Sequence, residues 1–205
     1  MAGRSDLTER PTFAGAVLTG GSSRRMGTDK ALLVVDRQPL AVRVASALRA
    51  AGADRVVAVG GDLPALRELG LDAVLDLHAG EGPLGGIITA LDATIADVVV
   101  VLACALPGAD PAAITAVVDA LGEADVAAPL RDGRHELLHA AYRRRTQPVL
   151  AAAFAAGERA VHRACRALDV VSVTGLADGA LADADTPEQL GLDAPDANQG
   201  GAGSG

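Results

Sequence analysis

The chain has 205 residues, with 18 Lys or Arg against 26 Asp or Glu, which gives a formal net charge of −8. Half of the residues are hydrophobic and 21% are charged. This balance excludes a mainly disordered chain and supplies the apolar side chains that a buried core needs. One tyrosine, two phenylalanines and the negative charge also disfavour a protein that binds nucleic acid through stacked bases or backbone phosphates.

Membrane and secretory signals are not expected either. The longest apolar run, 98–106, has the length of a strand and falls well short of the roughly 20 residues that span a bilayer. The first ten residues are polar and of mixed charge, unlike a signal peptide. Cys104 and Cys165 form no C-x-x-C pair. We therefore expect a cytoplasmic protein without membrane contact.

Apolar runs of strand length alternate with apolar residues at helical spacing along most of the chain. The predicted strands are 14–19, 55–59, 73–75, 98–103, 125–128, 137–142 and 170–173. The predicted helices are 39–51, 64–69, 84–95, 111–121, 148–156, 158–168 and 187–190. This alternation predicts a three-layer α/β fold with a mostly parallel sheet. The turn pair Asp132-Gly133 predicts a hairpin, so the sheet is expected to be mixed.

One domain is expected over 13–192, between disordered segments at 1–12 and 193–205. Ligands of such sheets bind beyond the carboxyl ends of the strands. This rule points to the loops that follow Thr19, Leu75 and Ala103.

The first of these loops, L-T-G-G-S-S-R-R-M-G-T-D-K at 18–30, has the chemistry of a polyphosphate site. It contains neither G-x-G-x-x-G nor the Walker A pattern. Gly20 and Gly21 have no Cβ, so their backbone can approach a ligand closely and turn N–H groups toward phosphate oxygens. Three cations follow: Arg24, Arg25 and Lys30. Lys30 is the only lysine in the chain. The alternative is a charged turn that is merely solvated.

The same loop, written L-x-G-G-x-S-x-R-M-G-x-D-K, is similar to the signature loop of the molybdenum cofactor guanylyltransferases and their nucleotidyltransferase relatives. Later segments resemble further motifs of that family in the same order. They are G-P-L-G-G at 82–86, the apolar strand that ends at Cys104, A-G-E-R at 156–159 and D-T-P-E-Q-L at 185–190. The resemblance covers about residues 14–192.

This resemblance implies the Rossmann-like fold of the nucleotide-diphospho-sugar transferases, and an enzyme that transfers GMP from GTP to the terminal phosphate of molybdopterin. Pyrophosphate is released. The nucleotide-binding residues that it implies are Leu18, Thr19, Gly20, Gly21, Lys30, Asp76 and Gly82. The catalytic residues that it implies are Arg25, beside the leaving pyrophosphate, and Lys30, which neutralises the phosphates. For Asp76 the alternative is a carboxylate that caps a turn at the end of a strand. Transient contact with cofactor-biosynthesis proteins or apo-molybdoenzymes is also implied.

The pattern breaks where the family has C-D-x-P, with an aspartate that binds Mg²⁺. This chain has Ala105 in place of that aspartate, and alanine cannot bind a metal. Mg²⁺ is usually held by one or two carboxylates plus substrate phosphates. Asp183 and Asp185 are the expected replacements, although Asp185 could instead cap a helix at Pro187. A second alternative is that Asp110 or Asp76 reaches the ion through water.

Two rival functions stay open at this point. Asp183 and Asp185 also resemble the cytidylyltransferase and sugar-nucleotide branches of the superfamily, which favours a related enzyme with another base. Loss of the carboxylate at Ala105 favours a protein that binds nucleotide with little or no transfer.

Three other features are given structural interpretations. Cys104 is expected to be a small core residue and His78 a solvated loop residue. The run 143–145 of three arginines is expected to be a solvated face, with contact to a pterin phosphate as its alternative.

Overall fold

A computed structural model of the protein describes residues 11–21 and 29–181, which build a β-sheet with helices on both faces. The strands are β1 (Phe13–Leu18), β2 (Val34–Val35), β3 (Gln38–Pro39), β4 (Arg55–Val59), β5 (Asp72–Val74), β6 (Val98–Ala103), β7 (Val126–Arg131), β8 (Arg134–His135), β9 (His139–Arg143) and β10 (Val170–Val173). The α-helices are α1 (Leu40–Ala50), α2 (Leu63–Glu68), α3 (Pro83–Asp92), α4 (Pro111–Ala120), α5 (Gln147–Ala155) and α6 (Val161–Ala164). Short 3₁₀ turns span Lys30–Leu32, Arg144–Thr146, Cys165–Ala167 and Asp178–Leu181.

The main sheet has the order β10-β7-β9-β6-β1-β4-β5, and β9 alone on this path runs against its neighbours. The predicted mixed, mostly parallel sheet is confirmed. The predicted turn at Asp132-Gly133 is also confirmed, because it joins β7 to the short strand β8 with φ of 50° and 76° at its two central residues. A separate small hairpin joins β2 to β3.

The core lies on both faces of the sheet because β6 is apolar at every position. Val98, Val100 and Leu102 pack in one cluster with side chains of α1 and α4. Val99 and Val101 pack in the other with side chains of α3 and α5. A β-branched run without alternation is typical of a central strand that is buried on both faces. The helices on both faces of the sheet therefore pack against β6, which ends shortly before Ala105.

Some predicted boundaries are wrong. The helix predicted over 158–168 contains only α6 and a following 3₁₀ turn. The reason is that the Glu158 carboxylate accepts hydrogen bonds from the Arg159 and Ala160 N–H groups, which holds 158–160 in a turn. The strand predicted from residue 137 begins at His139. The predicted helix 187–190, the predicted segment 193–205 and all of the predicted segment 1–12 except its last two residues lie outside the described residues.

The direction of the strands sets where chemistry can occur. The carboxyl ends of β1, β4, β5 and β6 meet at one edge of the sheet, and the reversed strand β9 begins at that edge. We call it the loop edge. No helix within residues 11–21 and 29–181 has the length and apolar character that crossing a bilayer requires.

Candidate functional site

The loop edge brings together the three loops that the sequence predicts and a fourth that it does not. The loop after β4, Gly60-Gly61-Asp62, lies between the loops after β1 and β5 because β4 lies between those strands. Gly60 and Gly61 both have φ of 76°, in the left-handed region that favours glycine. A second glycine pair directly after an apolar strand is the signal in the sequence that could have identified this loop.

The loop after β1 is anchored to this fourth loop through its first residues. The Thr19 and Gly20 N–H groups both donate to the Val59 carbonyl at 3.0 Å. The Thr19 hydroxyl, on a side chain that is 3% exposed, lies 3.0 Å from the same carbonyl oxygen and 2.8 Å from that of Gly60. A Cβ at Gly60 would lie 3.1 Å from the Gly20 Cα. These amides therefore hold the loop in place, whereas the sequence suggested that the Gly20 N–H group faces phosphate.

Leu18 has a similar anchoring role. Its carbonyl accepts the Cys104 N–H at 3.2 Å, which ties the end of β1 to the turn after β6. Its side chain is buried and packs against Gly86, where a Cβ would lie 3.2 Å from the Leu18 Cδ2. Gly21 is exposed and has no such neighbours among the described residues. Nucleotide contact by the four residues 18–21 stays a prediction.

Asp29 fastens the chain where the described residues resume after the signature loop. Its Oδ1 accepts the Ala31 N–H at 3.0 Å and starts the 3₁₀ turn that carries Lys30. Its Oδ2 accepts the Asp62 N–H at 3.2 Å, and a Cβ at Gly61 would lie 3.3 Å from that oxygen. Lys30 is thereby placed at the loop edge in a half-buried position. No pattern in the sequence indicates this role for Asp29.

The predicted site residue Arg25 lies outside the described residues, as does its neighbour Arg24.

Asp76 follows β5 and is bonded on one oxygen. Its Oδ1 accepts the His78 N–H at 2.9 Å and the Thr89 hydroxyl at 3.1 Å. The interpretation of Asp76 as a turn cap is thus confirmed. The carboxylate also lies beside the anchored loops, because a Cβ at Gly60 would be 3.2 Å from the Asp76 Cβ. Contact between Asp76 and a nucleoside stays a prediction, which turn capping by Oδ1 does not oppose.

The G-P-L-G-G and A-G-E-R segments meet around one aromatic ring. The Arg159 guanidinium lies 3.8 Å from the centroid of the Phe154 ring and donates to Glu81 Oε2 at 2.6 Å. The His78 ring lies 4.5 Å from the same centroid, so this half-buried loop histidine packs on Phe154 and is only partly solvated. The contacts of Arg159 and His78 with the Phe154 ring hold the loop that leads to Gly82 in place. Gly82 has a φ of 92° and precedes the first turn of α3.

The turn after β6 carries Ala105 in a half-buried position. Asp110 starts α4 by accepting the Ala112 N–H at 2.9 Å, so one of its oxygens is already used. Within the described residues, no three His, Cys, Asp or Glu side chains are grouped so that they could hold a metal ion. The described residues therefore offer Mg²⁺ no complete set of protein ligands, and substrate phosphates or residues outside this part of the chain would complete the set. The predicted ligands Asp183 and Asp185 lie outside the described residues.

His139 at the start of β9 has an environment that no sequence pattern predicts. It lies opposite Leu102, is 2% exposed, and neither of its ring nitrogens has a partner in the described part of the chain. Burial lowers the pKa of His139 to about 4, and the nearby Asp110 carboxylate opposes this shift only in part. A single histidine in an apolar strand gives no signal of this kind, because the burial depends on β6 and α4.

The cysteines are structural and the arginine run lies away from the site. Cys104 and Cys165 are both buried, and burial raises the pKa of the Cys165 thiol to about 11. Arg143 lies opposite Val98, the first residue of β6, and so at the far edge of the sheet from Ala105. Arg145 donates to Asp125 at 2.8 Å. The interpretation of this run as a surface face is favoured over contact with a pterin phosphate.

The chain is similar in sequence and in structure to proteins of molybdenum cofactor biosynthesis. Residues 15–171 match the family model described as the MobA-like NTP transferase domain. The chain is 33% identical over 193 residues to a molybdenum cofactor guanylyltransferase of Pseudomonas entomophila, covering 89% of this chain and 98% of that protein. It is 41% identical over 121 residues to the "Probable molybdenum cofactor guanylyltransferase" of Pelotomaculum thermopropionicum, which covers 59% of this chain and only 58% of that relative. The crystal structure of molybdopterin-guanine dinucleotide biosynthesis protein A from Archaeoglobus fulgidus matches with a TM-score of 0.67 and 26% identity, over 87% of this chain and 95% of that one.

Proposed function

Since the chain belongs to the family of MobA-like NTP transferases, we propose that it transfers GMP from GTP to the terminal phosphate of molybdopterin. The observation that carries the proposal is the double anchoring of the signature loop. Thr19 and Gly20 fix its first end to β4, and Asp29 fixes its second end to Asp62. This anchoring holds Lys30, the only lysine, at the loop edge, where the family chemistry needs a cation.

The proposed reaction makes one phosphorus–oxygen bond and breaks another. An oxygen of the molybdopterin phosphate attacks the α-phosphorus of GTP, and the bond from that phosphorus to pyrophosphate breaks. Such a transfer depends mainly on positioning and on neutralisation of charge. In this proposal Lys30 neutralises the phosphates and Arg25 stabilises the leaving pyrophosphate. Asp76 accepts a hydrogen bond from the nucleoside, and Gly82 lets the backbone approach the nucleotide.

Mg²⁺ dependence is a separate part of the proposal, with Asp183 and Asp185 as the ligands. The described chain supports it indirectly. A Cβ at Gly108, in the turn that carries Ala105, would collide with the carbonyl oxygen of Gly179. The segment that leads to Asp183 therefore packs against the turn where the family carboxylate is lost.

Thermal unfolding with four nucleotides tests the guanine assignment. We expect GTP to raise the melting temperature more than CTP, ATP or UTP does, because the family site is built for guanine. A ligand at about a hundred times its Kd stabilises the folded state by about 2.7 kcal/mol. Lys30→Ala should reduce the GTP shift strongly. Arg49→Ala, which removes an exposed cation at the end of α1, is the control and should keep the full shift.

The rivals give different results in the same experiment. A larger shift with CTP would replace guanylyl by cytidylyl transfer, and equal shifts with all four nucleotides would remove the base assignment. A GTP shift without pyrophosphate release in the presence of molybdopterin would identify a binding protein that does not catalyse transfer. A full GTP shift in Lys30→Ala would remove Lys30 from the site.

A further inference from the structure

Thr89 places a hydroxyl group inside helix α3, in a position that is otherwise apolar. Its side chain is 3% exposed, and the residues on either side of it, Ile88 and Ala90, are buried in the core. A buried hydroxyl that lacks partners is costly, so its hydrogen bonds indicate what the residue does.

The Thr89 hydroxyl uses both of its hydrogen-bonding capacities on the loop after β5. It donates to Asp76 Oδ1 at 3.1 Å and accepts the Leu77 N–H at 3.2 Å. The neighbouring His78 N–H also donates to Asp76 Oδ1, at 2.9 Å. One oxygen of the carboxylate is thus occupied twice. Oδ2 makes no hydrogen bond to any described residue and keeps its acceptor capacity.

The Asp76 carboxylate is next to the anchored loops. A Cβ at Gly60 would lie 3.2 Å from the Asp76 Cβ and 3.1 Å from the Gly20 Cα. Asp76 and Gly20 of the signature loop therefore both lie against Gly60. A carboxylate fixed beside the loop can accept a hydrogen bond from a hydroxyl or N–H group of a nucleoside whose phosphates lie on the loop.

We propose that Thr89 is a positioning residue that orients Asp76, so that Oδ2 accepts a hydrogen bond from the nucleoside part of the bound nucleotide. The inference rests on the proposed function, because it needs a nucleotide on the signature loop. It assigns to Thr89 a role in affinity for the nucleoside and none in affinity for the phosphates.

The proposed role requires a hydroxyl group, which threonine and serine have and valine lacks. Serine keeps a hydroxyl that can donate to Asp76 and accept from Leu77. Valine has nearly the shape of threonine but can do neither. Thr94 gives a matched control near the end of the same helix. It is 2% exposed, and its hydroxyl donates only within the helix region, to the Ala90 carbonyl at 3.4 Å.

The test is isothermal titration calorimetry of the full chain with GTP and, separately, with inorganic triphosphate. Thr89→Val should weaken GTP binding about tenfold, the effect of one lost hydrogen bond, and leave triphosphate binding unchanged. Thr89→Ser should restore GTP binding, and Thr94→Val should bind both ligands as the unchanged protein does. In the background of Asp76→Ala, Thr89→Val should have no further effect on GTP.

Other outcomes separate this inference from the function on which it rests. Equal loss of GTP and triphosphate binding in Thr89→Val would show a general disturbance of the loops and overturn the inference. Unchanged GTP binding in Thr89→Val, or a loss in Thr89→Ser as large as in Thr89→Val, would overturn it as well. Failure of the unchanged protein to bind GTP would instead overturn the proposed function.

Discussion

The imidazole of His139 is enclosed between β6, β9 and the start of α4. Its ring nitrogens find no partner among the described residues, and Asp110 is the charged group that acts on it. Removing an ion from water without a partner is costly, so the ring stays neutral in the folded protein. A site of this kind makes folding depend on pH without taking part in catalysis.

His139 should make the protein less stable in mild acid. Its pKa is about 4 when folded, against an ordinary value of 6.5. The unfolded chain therefore binds the proton first as the pH falls. The contribution of His139 to stability should be constant well above pH 6.5 and should fall by about 3 kcal/mol by pH 4. Urea unfolding of His139→Leu across this range should show a flatter pH dependence than the unchanged protein.

The exposed His162 provides the control. His162→Gln should retain the pH dependence of the unchanged protein. If His139→Leu loses stability in acid as steeply as the unchanged protein, the dependence belongs to other groups and the imidazole is not the cause.

At the scale of elements, local sequence patterns predict the bounds of some strands but do not predict features that depend on the neighbours of a strand. The strands at 55–59, 98–103 and 170–173 have the bounds that their β-branched runs predict. The helix predicted from residue 158 fails because a single side chain, Glu158, competes for the backbone N–H groups of its first turn. The roles of Gly60 and Asp29 depend on which strands are neighbours in the sheet, and no local pattern contains that information.

The turn after β6 is the element where this chain departs from the family motif that its sequence otherwise resembles. Hydrogen bonds hold this turn in place. The Cys104 N–H donates to the Leu18 carbonyl, and the Arg43 guanidinium donates to the Pro107 carbonyl at 3.4 Å. Residue 105 is therefore held in place at the loop edge whatever its side chain is. A carboxylate there would stand beside the proposed nucleotide site.

Ala105→Asp should raise pyrophosphate release about tenfold and lower the Mg²⁺ concentration needed for half-maximal rate. The reason is that a carboxylate ligand strengthens metal stabilisation of the transition state. The measurement is steady-state pyrophosphate release with GTP and molybdopterin over a Mg²⁺ titration. Ala105→Asn, which matches the shape without the charge, is the control and should give a smaller gain.

Asp185→Asn tests whether the late aspartates compensate for Ala105. It should abolish activity in the unchanged protein and be tolerated beside Ala105→Asp. If the unchanged protein is fast at low Mg²⁺ and neither substitution alters it, the metal is held elsewhere.

Across the whole molecule, the candidate site lies at one edge of the sheet, and the contacts at the opposite edge are structural. The loop edge carries the anchored loops. The opposite edge carries the arginine run, where Arg143 donates to the Ala124 and Gly122 carbonyls and Arg145 to the Asp125 carboxylate. The hydrogen bond from Arg145, together with that from the Asp169 N–H, holds the pKa of Asp125 below its usual range. These contacts fasten the end of β9 to the segment before β7.

Arg145→Ala should therefore leave KM for both substrates unchanged. The ion pair with Asp125 is largely exposed, with side chains 54% and 24% accessible, so unfolding free energy should fall by no more than about 1 kcal/mol. Steady-state kinetics and urea unfolding of the same preparation measure both effects. A raised KM for molybdopterin would instead support the pterin-phosphate alternative for this run.

The reversed strand β9 also has a consequence for the order in which the chain can fold during its synthesis. β9 lies between β6 and β7 in the sheet but follows β7 in the chain. A nascent chain that has emerged as far as β7 can pair β1, β4, β5 and β6, yet one side of β6 keeps its N–H and C=O groups unpaired. Such an apolar open edge is a template for pairing with another chain. It is closed only when residues 139–143 emerge and insert, after which β7 and β10 can join the sheet.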